Sequence, residues 1–171
     1  MNTIDFKVEG YLKRKNIENY VIENQKYMYR IAISYTKNED DALEIVQNTI
    51  YKALSFSNSL KDTNLIKHWV TRILINNCFD HLKRNKKLIL VDEIFEEIEG
   101  NDNILDKILL ENAMNNLPPK LKIIIILRFF EDFKIKEISE ILDMKENTVK
   151  TNLYKALKIL KINLEEDFID E

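Results

Sequence analysis

Cysteine, proline and glycine are nearly missing from this chain. Its 171 residues hold one cysteine, two prolines and two glycines. A single thiol, Cys78, builds no disulfide framework, so a reducing compartment is expected. So little turn chemistry argues against sheets and for an all-α chain rich in Ile, Leu, Lys, Asn and Glu. Long apolar runs are also lacking. The longest, Ile123–Leu127, closes at Arg128, far short of the roughly 20 residues of a membrane span. The N-terminus MNTIDFKVEG has no signal-peptide core, which leaves a soluble cytoplasmic protein as the expectation. HExxH, CxxC, P-loop and GxGxxG motifs are absent. His68 and His81, with Cys78 between them, read as surface or core residues rather than ligands. No enzyme activity, metal or cofactor is expected.

The formal net charge is −3, the wrong sign for a chain that binds DNA. Its distribution changes the reading. Residues 92–111 carry Asp92, Glu93, Glu96, Glu97, Glu99, Asp102, Asp106 and Glu111 against Lys107 alone, and the tail 163–171 carries acids and no base. With those segments set aside, 26 Lys and Arg against 29 Asp and Glu become 25 against 16. The remaining parts are basic, while the connector and tail are acidic and repel phosphate.

The connector also marks the organisation. VDEIFEEIEGNDN, with Gly100 and only a weak periodic core, reads as a linker. It divides the chain into a first domain at 1–90, an acidic linker at 91–106 and a second domain at 107–171. In the first domain, periodicity predicts a long helix over 17–37, a second over 39–56 and a third over 64–86. Glu39, Asp40 and Asp41 open the second, where the helix dipole favours anions. SNSLKDT (57–63) reads as a loop. The third ends in the basic run LKRNKK. In the second domain, Pro118 and Pro119 suit a helix start. KIIIILRFF would be a strand on β-branching alone, but nothing nearby supplies a partner strand, so a buried helix is predicted.

ENTVKTNLYKAL (146–157) carries the sharpest signal. Wound at about 100° per residue, Val149, Leu153, Ala156 and Leu160 form one narrow stripe. Asn147, Thr151, Tyr154, Lys155 and Lys158 fall opposite, with no carboxylate between Asn147 and Lys161. Amide, hydroxyl and ammonium groups are those that bond base edges and phosphates. Upstream, Ile135, Ile138, Ile141 and Leu142 sit at helical spacing, and Asp143, Met144 and Lys145 make a short break. Two short amphipathic helices around a tight turn, the second one basic, form the helix-turn-helix pattern. The usual turn glycine is missing, and an αα-hairpin within a bundle gives the same periodicity.

Two blocks, in order and at the expected separation, resemble the extracytoplasmic-function sigma factors of the sigma-70 family of bacterial RNA polymerase. The first is YRIAISYTKNEDDALEIVQNTIYKAL followed by HWVTRILINNCFDHLKR. The second is LPPKLKIIIILRFFEDFKIKEISEILDMKENTVKTNLYKALKIL. The resemblance covers about 20–161. The first block resembles a sigma-two helical bundle and the second a sigma-four helix-turn-helix domain. SYTKNEDDAL, IIILRFFEDFK and TVKTNLYKALK look most like the sigma-V subgroup, which a membrane-anchored anti-sigma factor holds.

The resemblance implies an alternative sigma factor without catalysis. Such a factor binds core polymerase at the β′ clamp helices and β flap, recognises promoter DNA and nucleates melting for a stress-response regulon. It implies core-polymerase contacts at Asp41, Glu44, Ile45, Gln47 and Asn48, an acidic and amide rim around an apolar spot suited to a basic helical partner. FSNSLKDTNLI (56–66) resembles the loop that captures a base flipped from the minus-ten element. Phe56, Leu60, Thr71, Ile73 and Asn76 match positions lining that pocket, and Lys83, Arg84, Lys86 and Lys87 would hold phosphates. Trp69 reads as core rather than a stacking platform. At the minus-thirty-five element the implied contacts are Asn147, Lys150, Thr151, Tyr154, Lys155 and Lys158. Asn147 and Thr151 can read bases, while Lys155 and Lys158 suit phosphates. Relatives carry Glu where Asn48 stands, and Arg at some of these Lys positions, which implies less bidentate guanine readout here. The linker resembles a segment that threads the polymerase's RNA path, or serves as a plain spacer.

Two other readings use the same residues. A stand-alone helix-turn-helix regulator would fit TVKTNLYKAL, but a receiver domain needs alternating strands and helices. A purely protein-binding module would need neither the basic face at 147–158 nor the run at 83–87.

Overall fold

A computed structural model describes the backbone of residues 3–85, 110 and 112–167, and the side chains of 8–84, 110 and 112–161. Among these residues the regular structure is helical and no strand occurs. The chain divides into two compact units, Met1–Asp92 and Glu93–Glu171. The expected linker at 91–106 lies outside the described residues.

In the first unit, α1 (Thr3–Glu23) is followed by α2 (Gln25–Thr36), α3 (Glu39–Ser55) and α4 (Ile66–Asn85). The single helix expected over 17–37 is broken at Asn24. The backbone N–H of Asn24 donates to Tyr20 O at 3.0 Å, and its side-chain amide reaches the same carbonyl at 2.8 Å. With φ −110° and ψ 18°, Asn24 leaves the helix, and its own carbonyl starts the ladder of α2 at Met28. Asparagine does this because its short amide competes with the backbone ladder. The next boundary follows the sequence closely. Asn38 caps α3 by accepting from the Asp41 N–H at 3.0 Å, and Glu39, Asp40 and Asp41 occupy the positive end of the helix dipole.

The α2–α3–α4 core is built from Met28, Ile31, Ala32, Ala42, Ile45, Ala53, Val70, Leu74 and Ile75, all nearly solvent-free. Alanines at 32, 42 and 53 let the backbones approach closely, so this layer has little room for added volume. Polar ties cross it. Tyr27 and Thr71 share a hydroxyl–hydroxyl bond of 2.8 Å. Asn77 donates to Thr49 Oγ1 at 2.9 Å and accepts from the Lys52 ammonium. Removing one partner strands a buried polar group, which costs more than removing both. Tyr27→Phe or Thr71→Val should each lower stability by about 1–3 kcal/mol, and the double variant by less than the sum. A urea double-mutant cycle checks this.

Burial pushes the Cys78 thiol from 9.0 up to about 12. Burial, and secondarily Cys78 itself, raises the Tyr35 phenol well above its usual range. An acid whose folded pKa is raised loses its proton first in the unfolded chain. The stabilisation is therefore whole below pH 9.0 and is lost as pH rises through about 12. Urea midpoints should fall on that alkaline limb, and Cys78→Ala should flatten the fall while lowering neutral stability through its cavity. An undiminished slope in the variant would assign the limb to other groups.

In the second unit, a helical stretch at 112–115 precedes α5 (Pro119–Ile125), in which Pro119 takes the first helical position. Leu121 to Ile125 are all buried, including Lys122, whose ammonium donates to Asn115 Oδ1 at 3.1 Å. The predicted buried helix is present and then widens. Residues Ile126–Phe130 form a π turn closed by Glu131 N–H to Ile126 O at 3.1 Å. It keeps Leu127 inside and turns Phe129 and Phe130 outward. Next come α6 (Ile135–Leu142) and α7 (Glu146–Asp167). Ala113, Met114, Leu117, Leu121 and Ile125 pack with Ala156 and Leu160 of α7.

Candidate nucleic-acid interface

The α6–α7 pair is the most fully built of the candidate sites. α6 starts with the Lys134 N–H donating to Glu137 Oε2 at 2.7 Å. It ends at Asp143, which adopts the left-handed conformation at φ 53° and ψ 50°. Asp143 fills the place of the missing turn glycine, since its short side chain tolerates that region better than most. The amides of Asp143 and Met144 both bond Ser139 O, so the turn is closed without glycine. Ile138, Ile141 and Val149 are fully buried and fix α7 against α6.

That seating decides what α7 presents. Val149, Ala156 and Leu160 face inward and Leu153 is half-buried. Asn147, Lys150, Thr151, Tyr154, Lys155 and Lys158 are all exposed, Tyr154 at 72%. No ion pair with a described residue ties down Lys150, Lys155 or Lys158. Thr151 donates its hydroxyl proton back to Asn147 O at 2.9 Å, which leaves the oxygen free to accept. The face offers an amide, a hydroxyl acceptor, an aromatic ring and three cations, with no carboxylate among them.

The second surface lies on α3. Glu44, Gln47 and Asn48 are exposed, and the Asn48 amide donates to Glu44 Oε1 at 3.3 Å. Asp41 is only half exposed, and its carboxylate lies 3.4 Å from His81 Nε2 of α4. Ile45 is 2% exposed and packs in the core, so it cannot be the apolar spot expected on this face. It belongs to the buried stripe Ala42–Ile45–Val46–Thr49–Ala53, a helical period that was readable in the sequence. The exposed apolar area beside Glu44 and Asn48 comes instead from Leu43 and Tyr51, 47% and 70% exposed, which the sequence reading had missed. Their spacing with Gln47 at i, i+4 is the signal that would have found them.

The third surface joins the 56–66 segment to α4. Phe56 is exposed, Ile73 half-buried and Asn76 exposed. Leu60 and Thr71 are core residues at 3% and 0%. Leu60 anchors the loop from inside, and the Thr71 hydroxyl is bonded to Tyr27, so both side chains are turned into the core rather than toward the surface. Trp69 is half-buried one turn before Ile73 on α4. Arg72, exposed at i−4 from Asn76 and paired with no described residue, is a further cation beside them that residue type alone does not single out. Lys83 is exposed and 3.8 Å from Asp80, and the exposed Arg84 donates to Asp80 O at 3.4 Å. Lys86 and Lys87 lie outside the described residues. Among the described residues no helix is long and apolar enough to cross a membrane.

Comparison with known proteins bears on both units. Residues 21–88 match sigma-70 region 2, and residues 107–160 match sigma-70, region 4. The chain is 43% identical over 146 residues to RNA polymerase sigma factor SigV of Bacillus subtilis (strain 168), spanning 84% of this chain and 88% of that one. It is 26% identical to the ECF RNA polymerase sigma factor SigM of the same organism, over 80% of this chain and 90% of the relative. Among solved structures, the sigma factor RpoE in complex with the anti-sigma factor NepR from Bartonella quintana matches with TM-score 0.68 at 23% identity, covering 94% of this chain and 97% of that one. CnrH in complex with the cytosolic domain of CnrY matches with TM-score 0.67 at 16% identity and the same coverage.

Proposed function

Because the chain belongs to the extracytoplasmic-function sigma factors of the sigma-70 family, we propose how its surfaces divide the work of directing RNA polymerase to promoters. The protein is a transcription initiation factor with no catalysis of its own. The α3 face, with Glu44, Gln47 and Asn48 bordered by Leu43 and Tyr51, docks on core polymerase. Phe56, Ile73 and Asn76 receive a base of the minus-ten element, with Arg72, Lys83 and Arg84 toward phosphate. In the minus-thirty-five groove, α7 reads with Asn147 and Thr151 and grips the backbone with Lys150, Lys155 and Lys158. The second domain, 107–171, and the first, 1–90, act at separate elements, and the 91–106 segment links them.

The observation that carries this reading is the exposed stretch of α7 from Asn147 to Lys158, which holds no carboxylate and is seated on α6 by Ile138, Ile141 and Val149. Two small modules on one chain gain avidity for two sites only when a partner fixes their spacing. The free protein should therefore bind promoter DNA weakly and the holoenzyme tightly. We also propose a cytoplasmic location and control by an anti-sigma factor with a membrane anchor, as in the sigma-V subgroup. Gel filtration with sigma-free core polymerase, followed by run-off transcription, tests the assignment. Tight promoter binding by the free protein, unchanged by core, would overturn it.

A further inference from the structure

The start of α2 is charged against its own stability. Lys26 stands in the first turn, at the positive end of the helix dipole, and no acid accompanies it there. Arg30 follows one turn later, so two cations sit at i, i+4, the spacing at which like charges repel. Both side chains are exposed, and neither forms an ion pair with a described residue. Local stability therefore gives no reason for this pair. Lys26 and Arg30 line an open groove of about 510 Å³, together with Gln25, Tyr29, Leu43 and Val46. Val46 is nearly covered, and Leu43 is 47% exposed. The groove is thus apolar on its α3 side and cationic on its α2 side.

We propose that core polymerase fills this groove with an acidic segment, an apolar side chain seated against Leu43 and Val46 and a carboxylate reaching Lys26 and Arg30. The proposal deepens the docking assignment of α3 and rests on it. Leu43 borders that face as well, so a polymerase seated on α3 also overlies the groove. The partner is then basic where it meets Glu44 and acidic where it meets Arg30. Opposite charge on the two sides of one apolar seam fixes which way round the partner sits.

The test measures affinity of the dye-labelled protein for sigma-free core polymerase by fluorescence anisotropy, with urea midpoints alongside. Lys26→Glu should weaken binding by about tenfold, and Lys26→Glu with Arg30→Glu by about a hundredfold. Both losses should shrink as salt is raised. Lys26→Glu should at the same time raise the urea midpoint, because an acid now stands at the positive end of α2 and pairs with Arg30 at i, i+4. Arg14→Glu with Lys15→Glu makes the same change of net charge on exposed residues of α1 and should bind core like the unaltered protein. Equal loss in that control would assign the effect to net charge and overturn the proposal. Loss of binding with a lowered urea midpoint would be a folding defect and would overturn it likewise. Unchanged affinity of the Lys26 and Arg30 variants, while Glu44→Arg with Gln47→Arg abolishes binding, would give the groove to another partner and leave the α3 face standing. Full binding by that α3 variant would remove the docking face, and this proposal with it.

Discussion

Glu44→Arg combined with Gln47→Arg should abolish co-elution of the protein with core polymerase. Both side chains are exposed on α3, and neither takes part in the core. The face they occupy is acidic and amide-rich with an apolar border, and the proposed partner is a basic helix. Two new cations there oppose like charge, which costs several kcal/mol across an interface. Each 1.4 kcal/mol is about tenfold in affinity, so a complex stable on a column should separate. Tyr51→Ala removes a 70%-exposed ring at the same border and should weaken binding without changing fold. Ile45→Val is the contrasting variant. It trims a buried residue, so it should lower stability by about 0.5–1.5 kcal/mol and leave co-elution intact. Arginine variants that fold, by circular dichroism, and still co-elute would move the polymerase contact off α3.

The second large effect separates reading from gripping on α7. Lys155→Ala and Lys158→Ala should each reduce the salt dependence of holoenzyme binding by about one phosphate's worth, with no change in sequence preference. Asn147→Ala should leave the salt slope alone and cost about 1–3 kcal/mol at one base pair of the minus-thirty-five element, relaxing preference there. Holoenzyme affinities on permuted templates at several salt concentrations decide it. Lysine variants that altered base preference, or an asparagine variant that altered only the slope, would reverse the roles. The reason to expect this division is local. Asn147 sits at the first turn of α7, where a helix meets base edges in this motif, whereas Lys155 and Lys158 lie two turns or more further along.

Much of this architecture was legible as pattern. Periodicity located α3, the buried α5, and the α6–α7 pair with its inward Val149, Ala156 and Leu160. Helix starts were legible too: the three acids Glu39, Asp40 and Asp41 at one, and Pro118 and Pro119 at the other, whereas the Asn38 cap came only with the structure. Those features are local, since capping and amphipathic period act within a few residues. Even so, the break at Asn24 was hidden, because an asparagine inside an apolar period looks like any other polar position. The π turn after Ile125 was hidden as well, since a run of four isoleucines carries no phase.

Chemistry at the surfaces was legible in residue type more than in exposure. Asn76 and Asn77 are the same residue, one after the other. The sequence by itself determined that helices would form, that residues 147–161 of one would be basic and free of carboxylates, and that an amide would stand at each of these positions. Only the tertiary structure decided that Asn76 faces solvent while Asn77 is buried between Thr49 and Lys52. It likewise withdrew Thr71 into a bond with Tyr27, across 44 residues of chain. A polar group is buried only where another element brings it a partner, and a partner so distant leaves no trace in the local period.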